Sequence, residues 1–223
     1  MTARSTFDRI AACGGVAFAV LALSTVVIAP PPPALDASAA DIREYLADNS
    51  GRFGASTAVM VLAVLAVAAV FGYVHRRLAE KDEGTAAPGV FQTAAAATVT
   101  LALAGALLQG LLARHSAGFD DATLLAAHRT YSLIAFAGPP LPLTVALLVA
   151  AERTLRSGVF PRWTGWVALV SAAGGLTTAL INVSTSTTSP PVLDFGSFLL
   201  SCVWFTGISV SAFLTPRVSP ATA

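Results

Sequence analysis

The sequence predicts an all-α fold: an integral membrane bundle of six transmembrane helices. Three observations carry this. Six apolar runs of membrane-spanning length fill most of the 223 residues, where a span needs about 20. Charged residues make up only 11% of the chain and hydrophobic ones 55%. A soluble domain carries about 25% charged residues, so too little polar surface exists to cover a globule in water. The charges and prolines also gather in the short breaks between the runs. In hydrocarbon every backbone polar group must be satisfied within the fold, which makes such runs helices.

The first span is read as residues 10–29. Arg4 and Arg9 precede it, as in a signal peptide, but its apolar stretch exceeds the 7–15 residues of a signal core. An uncleaved helix is therefore expected. Pro30 to Pro33 end it, because successive prolines remove backbone donors. Ser38 and Asp41 then have the spacing of a capping box, and Ile42, Tyr45 and Leu46 share one helical face. Residues 38–49 are expected to form a short amphipathic helix in the first outer loop, ended by Gly51.

The second span covers residues 54–74 and stops at His75-Arg76-Arg77. The third covers 90–113 and stops at Arg114-His115. Asp120 and Asp121 are placed as N-caps for the fourth, residues 124–151. Gly138, Pro139, Pro140 and Pro142 interrupt that span, and three prolines in four positions should kink or unwind it. The fifth covers 163–183 and the sixth 192–214. The whole chain reads as one polytopic domain. Ala102, Ala106 and Gly110 form a row of small residues that suits close helix contact, as do Ser171 with Gly175 and Gly207 with Ser211.

Basic residues set the expected orientation. With the N-terminus inside, Arg4, Arg9, Arg76, Arg77, Lys81, Arg153, Arg156, Arg162 and Arg217 are inside; Arg43, Arg52, Arg114 and Arg129 are outside. Nine against four predicts a cell-membrane protein with both termini cytoplasmic. Tyr73, Trp163 and Trp166 suit an inner aromatic belt. The predominance of Arg over the single Lys81, with abundant Ala, points to a GC-rich bacterial genome. Cys13 and Cys202 both lie inside apolar runs and read as small buried hydrophobes, outside any disulfide framework.

Two stretches carry a resemblance. Residues 37–49 read ASAADIREYLADN and residues 160–166 read FPRWTGW. With the order of the spans, they resemble a group of small actinobacterial multi-pass membrane proteins carrying a domain of unknown function. The resemblance implies fold and location, and supplies no activity or catalytic residue.

Few residues could carry chemistry. An outer polar cluster is expected from Arg114, His115, Asp120, Asp121, His128, Arg129 and Asp194. Its His and Asp side chains are of metal-ligating type, but their spacing matches no metal motif. Asp194 is the one charge across residues 163–216. It suits either a helix cap or an ion pair with Arg114 or Arg129. Gln109 and Asn182 are neutral polar residues within spans, which bridge helices or line a path. No catalytic residue, metal site or cofactor is assigned. A net charge of +1 provides no field for nucleic acid. The expected partners are the lipid bilayer and either a second copy or another membrane protein. The leading reading is a non-enzymatic accessory or structural protein. One alternative is a small-molecule transporter or channel using the broken fourth helix; another is a membrane enzyme or sensor using the outer His/Asp cluster.

Overall fold

A computed structural model describes residues 6–81, 84–184 and 191–214; the side chains of residues 6–9, 191, 192 and 194 lie outside that description. Seven α-helices are described: α1 (Thr6–Ile28), α2 (Ala39–Lys81), α3 (Ala87–His115), α4 (Asp121–Ser132), α5 (Pro140–Ser157), α6 (Arg162–Ser184) and α7 (Pro191–Leu214). Six segments are long and apolar enough to cross a membrane, with α4 and α5 sharing one. The chain is a multi-pass membrane protein of all-α fold.

The spans pack in chain order, and α7 returns to lie against α1. The result is a closed ring in which α1 touches α2 and α7, and α5 touches α3 and α6. Its interior is filled. Phe71, Phe91, Trp204 and Phe205 are each no more than 3% exposed. They belong to one core to which α1, α2, α3, α5, α6 and α7 all contribute. Phe205 meets Phe71 and Trp204 edge-on at 5.4 and 5.0 Å between ring centroids, an arrangement aromatic quadrupoles favour.

α1 approaches its neighbours closely through two glycines. A Cβ at Gly14 would stand 2.8 Å from the Ala66 carbonyl, and one at Gly15 would overlap the Phe205 carbonyl. Beside them the buried Ser209 hydroxyl accepts from the Gly15 N–H at 2.8 Å and donates to the Ala11 carbonyl at 2.9 Å. It thereby bridges two groups of α1 that an α-helix pairs with each other. The small-residue positions expected from sequence also lie at contacts within the bundle. Gly110 faces Thr57, Gly175 faces Thr144, and Gly207 faces the Trp163 ring.

Two expectations need correction. Cys202 is buried as expected, but Cys13 is exposed, on the apolar outer side of α1 beside Val16 and Val20. The second concerns the cap segment. Residues 39–49 are helical and the capping box forms, with Ser38 Oγ 2.7 Å from Asp41 Oδ2 and the Asp41 N–H on Ser38 Oγ at 3.2 Å. The helix, however, does not end at Gly51. It continues into the second span as one element of 43 residues, about 65 Å at 1.5 Å per residue. The physical reason is tertiary. Glycine within a helix costs about 1 kcal/mol, and burial of Ile42, Leu46 and Phe53 along the same face outweighs it. These three join Ala29, Leu112, Leu124 and Tyr131 in a second core, here named the cap end. The opposite end is the Lys81 end.

The fourth span is irregular where the prolines fall. After α4, residues Leu133–Ala137 form a wide π-type turn in which the Gly138 N–H donates to the Leu133 carbonyl, 3.0 Å away. α5 then starts at Pro140. Pro139 and Pro140 have no N–H to continue the ladder, so the regular pattern stops ahead of them. The Thr144 hydroxyl donates to the Pro140 carbonyl at 2.8 Å.

Candidate functional site

The polar residues of the cap end are held by three elements: the N-terminal part of α2, the turn at Ser116–Gly118, and α4. Asp120 has extended backbone, and its carboxylate accepts from the Thr123 N–H at 2.7 Å. That is an N-cap, and it satisfies one of the donors a helix start leaves open. The Thr123 backbone N–H, and then its hydroxyl, hold the Asp120 carboxyl below its ordinary value of 3.8; Arg43 adds a smaller pull.

Asp121 points elsewhere. Arg43 of α2 donates to Asp121 Oδ1 through Nη2 at 2.8 Å and Nε at 3.2 Å. The same Nη2 reaches the Phe119 carbonyl at 2.7 Å. One guanidinium thus ties α2 to the α3–α4 connection. His128 is 3% exposed, and its Nε2 lies 3.3 Å from the Ala34 carbonyl. A carbonyl only accepts, so that nitrogen carries the hydrogen. The Tyr45 hydroxyl donates to the Pro30 carbonyl at 2.7 Å. Together His128 and Tyr45 fasten the proline-rich segment after α1.

The His and Asp side chains do not converge. His115 lines a groove between α2 and α3, whereas His128 is buried under Ala34. Among the described residues no three His, Cys, Asp or Glu side chains are placed to share a metal ion. Arg114 lines the same groove as His115, and neither Arg114 nor Arg129 has a hydrogen bond or ion pair among the described residues. The Asp194 side chain, and with it the expected choice between cap and ion pair, lies outside the described residues.

Within the spans, Gln109 is buried and its Nε2 donates to the Phe53 carbonyl at 3.2 Å, linking α3 to α2. Asn182 is partly buried in the last turn of α6. Ser171 and Ser201 share a hydrogen bond of 2.7 Å between α6 and α7. Gly138, Pro139, Pro140 and Pro142 lie at the irregular junction, where Thr144 also reaches the Ala172 carbonyl of α6 at 3.3 Å.

Arg43 and Ser209 each tie together elements distant in the chain, and neither stood out in the sequence. For Arg43 a faint signal existed: it is the sole cation in a capped amphipathic segment. Ser209 carried none, being one hydroxyl among many in apolar runs. No family model, curated protein or solved structure matches the chain.

Proposed function

We propose that this chain serves as a non-enzymatic accessory or structural protein of the bacterial cell membrane, with both termini in the cytoplasm and the cap end outside. One observation carries the reading. The interior of the helix ring is occupied by Phe71, Phe91, Trp204 and Phe205, so the middle of the bundle is a packed core. Four of the polar groups that a conduit or catalyst would turn toward a ligand are engaged internally. Asp120 caps a helix, Asp121 holds Arg43, His128 holds Ala34 and Gln109 holds Phe53. The orientation rests on the asymmetry of the basic residues.

A specific feature favours one second reading, a small-molecule transporter. The π-type turn at Leu133–Ala137 followed by Pro139 and Pro140 is a discontinuity within a span, and discontinuous helices line transport sites. Reconstitution separates the two. Vesicles containing the protein, loaded with a potassium- or proton-sensitive dye or with radiolabelled amino acids and sugars, should leak no faster than protein-free vesicles. Protein-dependent flux that Pro139→Ala or Gln109→Leu abolishes would reject the accessory reading.

A further inference from the structure

We propose that the groove between α2 and α3 at the cap end binds one anionic phospholipid, with an acyl chain along the groove and the phosphate at Arg114. The groove has a volume of about 390 Å³. Its α2 wall is Gly54, Thr57 and Ala58, and its α3 wall includes Leu107, Gly110 and Leu111. Small residues create the hollow. A Cβ at Gly110 would stand 3.4 Å from Thr57, and one at Gly54 would stand 3.9 Å from Ala113. Directly behind, the Gln109 to Phe53 bond fixes the two helices to each other. The hollow is therefore preformed, which lowers the entropic cost of filling it.

Its exposed side is apolar. Leu107 and Leu111 are 69% and 41% exposed, on a segment that crosses the bilayer, so the groove opens toward lipid. From Leu107 to Arg114 the helix rises about 10 Å, most of the roughly 15 Å depth of one hydrocarbon leaflet. Arg114 and His115 stand at the end of the groove, where α3 stops and the polar turn Ser116–Gly118 begins. That is the level of headgroups.

Among the described residues no acid pairs with the charge at this level. Arg114 has no ion pair among the described residues. The nearest acids in sequence are engaged elsewhere, Asp120 on the α4 cap and Asp121 on Arg43. A preformed apolar channel ending in a guanidinium that no described residue pairs with suits a lipid with a phosphate head. A guanidinium binds phosphate oxygens through paired N–H donors. A zwitterionic lipid offers the same phosphate but brings its own cation beside it, which weakens the match.

The test uses the purified full chain in detergent, titrated with phosphatidylglycerol or phosphatidylcholine of the same acyl chains and read by native mass spectrometry. The wild type should retain one phosphatidylglycerol per chain with a preference of about tenfold over phosphatidylcholine, the size of one charge-assisted contact. Arg114→Gln should bring the two lipids to near parity. Ala58→Phe, at an exposed position that projects into the groove, should lose both. Should Ala58→Phe fail to fold, Ala58→Leu takes its place, and Arg114→Gln decides the headgroup claim alone. Equal retention of both lipids by the wild type, or adducts unchanged in the variants, overturns the proposal. So does glycerol phosphate competing as well as the intact lipid, which would assign Arg114 to free phosphate. A dimer abolished by Ala58→Phe would assign the groove to a second copy and equally reject the lipid.

Discussion

Replacing Gly51 by alanine tests whether the cap segment and the second span are one helix. Gly51 lies inside α2, and a Cβ built there meets nothing within 4 Å. Its φ lies outside the left-handed region that Gly84 and Gly158 occupy. The substitution therefore adds neither contact nor strain. What remains is the lower backbone entropy of alanine in the unfolded chain, and Gly51→Ala should stabilise the protein by about 0.5–1 kcal/mol. Gly158 is the control. It also has open space around it, but its φ is +63° at the end of α5. Gly158→Ala should destabilise by about 1 kcal/mol through strain alone. Reversible unfolding by SDS in mixed micelles reads both, and amide hydrogen exchange over residues 47–55 reads the local helix. If Gly51→Ala instead weakens the protein by about 1 kcal/mol and amides 52–55 exchange as a loop, the continuous helix is wrong and Gly51 is a terminator.

Three further outcomes follow from the contacts. Arg43→Ala should cost more than Asp121→Asn, because it also frees the Phe119 carbonyl; a double-mutant cycle should give a coupling of no more than about 1 kcal/mol, as the pair is exposed. Asp120 is held below its ordinary 3.8 in the folded protein, so its contribution is present above that value and lost as pH falls below it. SDS unfolding at about pH 5 and about pH 3 should show a smaller acid loss in Asp120→Asn than in the wild type. Gly15→Ala drives a methyl into the Phe205 carbonyl and should destabilise by at least about 1–3 kcal/mol, whereas Ser209→Ala should cost only about 0.5–1.5 kcal/mol, since Gly15 and Ala11 can pair directly once the hydroxyl is gone.

Local features were legible in the sequence. Apolar runs of spanning length appear as helices because a bilayer leaves no other option. The Ser38–Asp41 box and the Asp120 cap act over three residues and need no tertiary knowledge. What escaped was decided at a distance. Gly51 looks like a terminator until Ile42, Leu46 and Phe53 are seen to share a core with Leu124 and Tyr131. The Arg43 partner lies 78 positions away, and the Ser209 bond to Gly15 spans 194. His115 and His128 look like neighbours in sequence, yet one borders the groove between α2 and α3 and the other is buried beneath a proline-rich segment. A pattern of residue types along a chain carries no such directions.

The central claim is a bundle that crosses the membrane six times, with its cap end outside and the Lys81 end in the cytoplasm. Single cysteines in a background lacking Cys13 and Cys202 test it most directly, using a membrane-impermeant maleimide on intact cells. Asp48→Cys and Gly118→Cys, both exposed at the cap end, should be labelled from outside. Ala86→Cys and Ser157→Cys, at the opposite end, should react only after the cells are opened. Labelling of Ala86→Cys and Ser157→Cys in intact cells, with Asp48→Cys and Gly118→Cys protected, would invert the orientation, and labelling of all four from one side would contradict the six-span bundle.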